Sequence, residues 1–256
     1  MRTNLVQYSV FIVGLSLSGC AADAQHDNVD PTATEQGWDS QDGNPTHATH
    51  SYLTEYATDQ LKGSYPELVT YRARLVDGAN REIHDLPLAD AEQEALRQEV
   101  VGTNGACEHP ERMWNHVVAS YHAGDHAKAF WYLGIMLHYV EDMGVPAHAL
   151  HVYHQSSPSD WDHFEVMALQ RWYPSYANIN RTDPRLANPS DYMAFSQNWT
   201  ISDWQSAFPG VTYTRTYYSM SWWWASSREK TLMRDRQGHT ATVVKWALQS
   251  ALAQLH

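Results

Sequence analysis

The stretch Ala129–Val152, AFWYLGIMLHYVEDMGVPAHALHV, decides how this chain is read. Up to Asp142 it has the periodicity of an apolar helix, with His138 and Asp142 four residues apart. Both side chains therefore project from one face, about a turn apart. Gly144 and Pro146 break the helix, because glycine releases the backbone and proline removes an N–H and fixes φ. His148 is thereby returned toward the helix end that carries Asp142. Imidazole nitrogens plus a carboxylate in the pattern H-Y-x-x-D-x-x-x-P-x-H, with few thiolates in the chain, form a donor set suited to zinc or a similar divalent metal. The plain alternative is a buried His138–Asp142 hydrogen-bonded pair, with His148 an ordinary loop residue. Glu141, about 100° round the helix from Asp142, is expected to face elsewhere, so that its loss would leave metal content nearly intact.

The motif resembles the central motif of the zinc-dependent phospholipase C and single-strand nuclease family, closest to its bacterial phosphatidylcholine-hydrolysing branch. The resemblance implies that His138 and Asp142 serve a pair of metals, with Asp142 bridging, and that His148 goes to a third. Thr49–Ala57 resembles the family's early helix, T-H-x-x-I-x-x-x-A, which gives His50 the place of a metal ligand; His47 is the local competitor. Trp38 lies twelve residues before His50, a separation similar to that of the N-terminal Trp whose amine and carbonyl bind zinc in the family's secreted enzymes. A start at Cys20 would leave Trp38 without a free amine, and aromatic packing on the first helix is its other reading.

Between the early helix and the central motif the family supplies an Asp and then a His. In DGANREIHDLP, residues 77–87, these are matched by Asp77 and His84, with Glu82 and Asp85 as alternative carboxylates. By resemblance Asp77 is also the candidate general base, although an Asp before Gly is commonly a turn residue. The family's closing motif, H-x-x-x-E, is matched by Glu165, but Trp161 stands where its His is expected. His154 is the first candidate to replace that donor and Asp162 the second, with His151 and His163 close by. An incomplete third site is the alternative. The cofactor implied is zinc, two to three ions.

Outside the motifs, the first twenty residues read as an export signal: Met1-Arg2 is positive, Leu5 to Leu17 is mostly apolar, and Leu17-Ser18-Gly19-Cys20 resembles the lipobox of bacterial lipoproteins. The apolar run is shorter than the roughly 20 residues a spanning helix needs. Residues 1–19 are thus expected to be a signal peptide with Cys20 lipidated, which implies an exported, lipid-anchored protein of the bacterial cell envelope. Residues 20–45 are polar with almost no aliphatics and read as a flexible tether. The remainder, 46–256, is about the length of one domain. After Cys20 only Cys107 remains, so no intrachain disulfide framework is available. The formal net charge of −12 argues against a general nucleic-acid binder, although bound zinc would invert the local charge. The fifteen histidines matter because many cluster with carboxylates.

Helical periodicity is expected from Thr49 to about Leu61, from Leu68 to Val76 with a break at Asp77-Gly78-Ala79, and from Leu88 to Val101. Pro110 suits the first turn of a helix through Tyr121, and Asp125 offers an N-cap acceptor to the motif helix. A helix at Glu165–Trp172 ends before Pro174. Residues 173–218 show no sustained period and read as loops with a short helix or two. Thr240–Leu255 is cleanly amphipathic. With no strand ladder in view, the fold class is all-α, a multi-helix single domain. Tyr217, Tyr218, Trp222, Trp223 and Trp224, with Trp172, Tyr173 and Tyr176, could cage a quaternary ammonium, sit at a lipid–water interface or pack in the core. No G-x-S-x-G, phosphate-cradling glycine loop or Cys–His pair competes. The expected activity is zinc-dependent hydrolysis of a phosphodiester, with a phospholipid or membrane surface as partner. A nuclease of the same fold and a zinc-binding lipoprotein without turnover are the alternatives.

Overall fold

The motif helix forms the axis of the molecule because its sequence leaves it no wet side. In the computed structural model, which describes residues 49–80, 109–150, 152, 163–170, 181–213 and 227–256, it runs from His126 to Asp142. Residues 132–141 are buried without interruption, Glu141 among them, as expected of a helix that is apolar all round. The described elements in chain order are α1 (Thr49–Leu61), α2 (Glu67–Ala79), α3 (His109–His122), α4, the motif helix (His126–Asp142), α5 (Pro146–Ala149), α6 (His163–Gln170), a 3-10 turn (Pro189–Asp191), α7 (Tyr192–Ala207) and α8 (Ser227–Leu255). Every one is helical, so the fold is all-α, and no strand occurs among the described residues.

Helices α2 and α3 flank α4 most extensively, and α8, α7 and α1 cover the rest of it. The main core gathers Leu68 and Leu75 of α2, Met113 and Val117 of α3, Phe130, Leu133, Met136, Leu137 and Val140 of α4, and Val243, Val244, Ala247 and Leu248 of α8. A second cluster joins Leu53 of α1, Val145 and Ala147 after the motif helix, Phe164 and Met167 of α6, Trp204 of α7 and Leu232 of α8. The end of α4 lies between the two clusters. No described helix is long and apolar enough to cross a membrane.

Local sequence signals act where expected. Asp125 caps α4, accepting from the Lys128 amide at 3.1 Å, after Gly124 turns the chain with φ 81°. Pro110 lies in the first turn of α3. Pro146 opens α5, where its missing N–H costs nothing.

Three expectations are corrected. First, Asp77-Gly78-Ala79 is not a break, for α2 continues through Ala79. Gly78 is there for closeness: a Cβ on it would lie 2.1 Å from the Trp131 carbonyl oxygen, and one on Gly134 would lie 2.2 Å from that of Leu75. The two glycines let α2 and α4 approach backbone to backbone. Second, α7 is a full 16-residue helix rather than a short one. Its buried stripe includes Ser196, Gln197 and Thr200, and these polar members hide the helical period. Third, α8 starts at Ser227, not Thr240. In its first half, buried Arg236 and Gln237 hold positions that a hydrophobic count misses. Gln237 Nε2 donates to the Ala168 carbonyl at 2.8 Å, and Arg236 is held by the partners described below. The expected helix at Leu88–Val101 lies outside the described residues.

Candidate metal centre

Three side chains converge where α1 meets the end of α4. His138 and Asp142 occupy successive turns of α4, with His138 Nε2 3.2 Å from Asp142 Oδ2. His50, near the start of α1, brings its Nε2 to 3.5 Å from the other carboxylate oxygen, Oδ1. The two imidazole rings stack at 4.2 Å between centroids. One donor atom from each of the three residues fits within a 4.8 Å group. Donor atoms on a tetrahedral zinc with bonds of roughly 2.0–2.1 Å stand about 3.3–3.4 Å apart, so each of these separations suits two donors on one ion. The donor chemistry, two imidazole nitrogens and a carboxylate, suits zinc as well.

Each imidazole is held by its other nitrogen. His138 Nδ1 donates to the Ala79 carbonyl at 2.9 Å, one of the carbonyls that the end of α2 leaves without a helical partner. His50 Nδ1 donates to Glu141 Oε2 at 2.7 Å, and Glu141 Oε1 accepts from Thr54 Oγ1 at 2.7 Å. Both arrangements direct Nε2 toward Asp142. The expectation for Glu141 is therefore corrected: it is fully buried behind His50 rather than facing elsewhere. The missed signal lay in the helix itself. On a segment apolar all round there is no solvated face for a carboxylate, so Glu141 had to be buried and paired.

Burial, then the His138 ring and also His148, hold the His50 pKa well below its usual value against the pull of Asp142. That direction favours the neutral imidazole, the form that binds a metal. Burial would raise the Asp142 pKa, but the His138, His148 and His50 imidazoles outweigh it and keep the carboxyl below the ordinary range. Burial pushes Glu141 well up, opposed by the Thr54 hydrogen bond and by His138.

His148 and Glu165 form a second pairing, with His148 Nε2 3.2 Å from Glu165 Oε1. His148 is delivered by α5 and Glu165 by the first turn of α6. The turn between α4 and α5 is held from outside. Thr200 Oγ1 donates to the Met143 carbonyl, and Arg236 Nε donates to that of Gly144 at 3.1 Å. Gln197 Nε2 donates to the Ala149 carbonyl at 3.2 Å. Arg236, fully buried, also pairs through Nη1 with Asp203 at 2.7 Å, and His239 joins the same carboxylate. Polar residues of α7 and α8 thus fix the segment that carries His148, and nothing in the local sequence around His148 announces them.

Asp77 is not brought to the His50–His138–Asp142 group. Its carboxylate accepts from the Trp131 indole at 3.1 Å, two turns of α4 before His138. The glycine crossing fixes this, since it sets α2 beside the middle of α4. His84, Glu82, Asp85, His154, His151, Trp161, Asp162, Trp38, His47, Cys20 and Cys107 lie outside the described residues. So do Trp172, Tyr173, Tyr176, Tyr217, Tyr218 and Trp222–Trp224, and the side chain of His163.

No protein-family model matches the chain, and no curated protein matches it. Among solved structures there is a likeness to the alpha toxin from Clostridium absonum. It has 14% identity and a TM-score of 0.46, over 81% of this chain and 65% of that one. The chain thus spans just under two thirds of the toxin's length. A likeness so slight decides nothing. The chemistry rests on the side chains of this chain.

Proposed function

We propose that this chain is a zinc-dependent phosphoric-ester hydrolase of the phospholipase C kind, acting on phosphatidylcholine-type head groups. The observation that carries the reading is Asp142, whose two oxygens face different imidazoles, His138 at 3.2 Å and His50 at 3.5 Å. A carboxylate so disposed suits a bridge between two cations. His50, His138 and Asp142 would hold that pair, and His148 with Glu165 would hold a third ion together with a further donor. Bound zinc would supply a Lewis acid and water of lowered pKa. The chain's own part is to aim both imidazoles and to hold the turn carrying His148 rigid. The resemblance of the H-Y-x-x-D-x-x-x-P-x-H motif favours phospholipid as substrate, and the acidic net charge weighs against nucleic acid. Export and lipid anchoring at Cys20 would put the domain beside such a substrate.

The test is the purified chain supplied with zinc and offered phosphatidylcholine vesicles or single-stranded DNA. Phosphocholine release with no DNA hydrolysis is expected. DNA hydrolysis alone would replace the proposal with a nuclease, and bound zinc without turnover on either would reduce it to a metal-binding protein.

A further inference from the structure

We propose that Glu141 is a positioning residue for the candidate metal centre, setting the grip of His50 on its ion; this rests on the metal-binding reading above. The two imidazoles of the group are held differently. His138 leans on a neutral backbone carbonyl, Ala79 O at 2.9 Å. His50 leans on a carboxylate at the shorter distance of 2.7 Å. A carboxylate behind an imidazole fixes the Nδ1–H tautomer and makes the opposite nitrogen a stronger donor. Of the two histidines, His50 is thus the one built to bind more tightly.

The carboxylate is itself immobilised. Its second oxygen accepts from Thr54 at 2.7 Å, and Thr54 follows His50 by one turn of α1. Glu141 therefore clamps two successive turns of α1 and fixes the register in which His50 enters the group. All three residues are buried to within 1%, so neither water nor another rotamer substitutes easily. An apolar replacement would dock α1 equally well and would not supply the aim.

The test compares the full chain with Glu141→Gln and Thr54→Val. Zinc affinity is measured by competition with a chromophoric chelator, and geometry by the visible absorption of the cobalt-loaded protein. Glu141→Gln is expected to keep its helical circular dichroism, to lose about 10- to 100-fold in zinc affinity, and to shift the cobalt bands. Thr54→Val, which weakens the docking of α1 but leaves the carboxylate, is expected to change affinity several-fold less. Unchanged affinity and an unchanged cobalt spectrum in Glu141→Gln would overturn the proposal, as would equal losses in the two variants. Absence of zinc binding by the unaltered chain is a different failure, because it removes the metal centre itself. If Glu141→Gln does not fold, imidazole nitrogen resonances of the zinc-loaded unaltered chain serve instead. Coordination of His50 through Nε2, with an exchange-protected proton on Nδ1, is expected. Coordination through Nδ1 would overturn the proposal.

Discussion

Asp142 separates a metal centre from a buried polar cluster. Its two oxygens face two different imidazoles, so replacing one oxygen by an amide nitrogen removes a donor and a charge while keeping shape. Asp142→Asn is expected to lose at least one metal equivalent by elemental analysis and to slow phosphocholine release by roughly 100-fold or more. Full metal content in that variant would count against the bridging role. At this scale the sequence reached the residues that define a spacing. His138, Asp142 and His148 were legible because one helix and one proline turn fix where they go, and His50 because it sits at the head of a recognisable helix. Glu141 was not legible from its angle on the helix, since an angle says which way a residue points but not whether water is there. Asp77 was read as part of the site because the resemblance calls for an Asp and then a His between the early helix and the central motif. Only the packing of Gly78 on Gly134 tells that its carboxylate meets Trp131 instead.

Among elements, the crossing of α2 over α4 governs the site, because the Ala79 carbonyl that holds His138 ends the helix carrying Gly78. A Cβ on either glycine of the crossing would come within 2.2 Å of a backbone oxygen, and backbone yields only by moving the helix. Gly134→Ala is expected to destabilise the fold by roughly 3 kcal/mol, the upper part of the range for overpacking, and to weaken zinc binding as the Ala79 carbonyl retreats. Gly63, whose Cβ would meet nothing within 4 Å, is the control. Gly63→Ala should change stability by no more than about 0.5 kcal/mol in urea unfolding. A second element-level tie is Arg236, which joins α8 to Asp203 on α7 and to the Gly144 carbonyl. Asp203→Ala would leave a buried guanidinium without that partner. It is expected to cost roughly 3 kcal/mol, the low end for a broken buried pair because Asp203 keeps some contact with water. Helices with apolar stripes, α1, α3 and α4, were legible in sequence. The first half of α8 and most of α7 were not, because their buried faces carry Arg236, Gln237, Gln197 and Thr200, whose partners lie on other elements.

Across the whole molecule, stability is expected to depend on pH and metal together. Burial, opposed by Asp203, keeps the His239 pKa below its free value of 6.5. The unfolded chain therefore takes up that proton first, so the contribution of His239 is complete above about pH 6.5 and declines as pH falls below it. The Asp203 carboxyl tends upward by burial, but His239 and Arg236 bring it below the usual range. Its contribution is complete above about pH 4 and disappears as pH drops through its folded value. Urea midpoints of the metal-free chain should fall in both windows, and His239→Gln should flatten the upper one. Metal adds a steeper dependence. A ligand held by the folded chain alone stabilises by about 4 kcal/mol when present at a thousand times its Kd, worth on the order of 10 °C in Tm for a domain of this size. Because the donors are imidazoles of His50 and His138, that increment should vanish as acid protonates them. Calorimetry with zinc and with a strong chelator should therefore give two Tm curves, well separated at pH 7.5 and converging as acid protonates the donors. Curves that coincide at pH 7.5 would show that the stacked histidines and Asp142 stabilise the fold by themselves, with no ion between them.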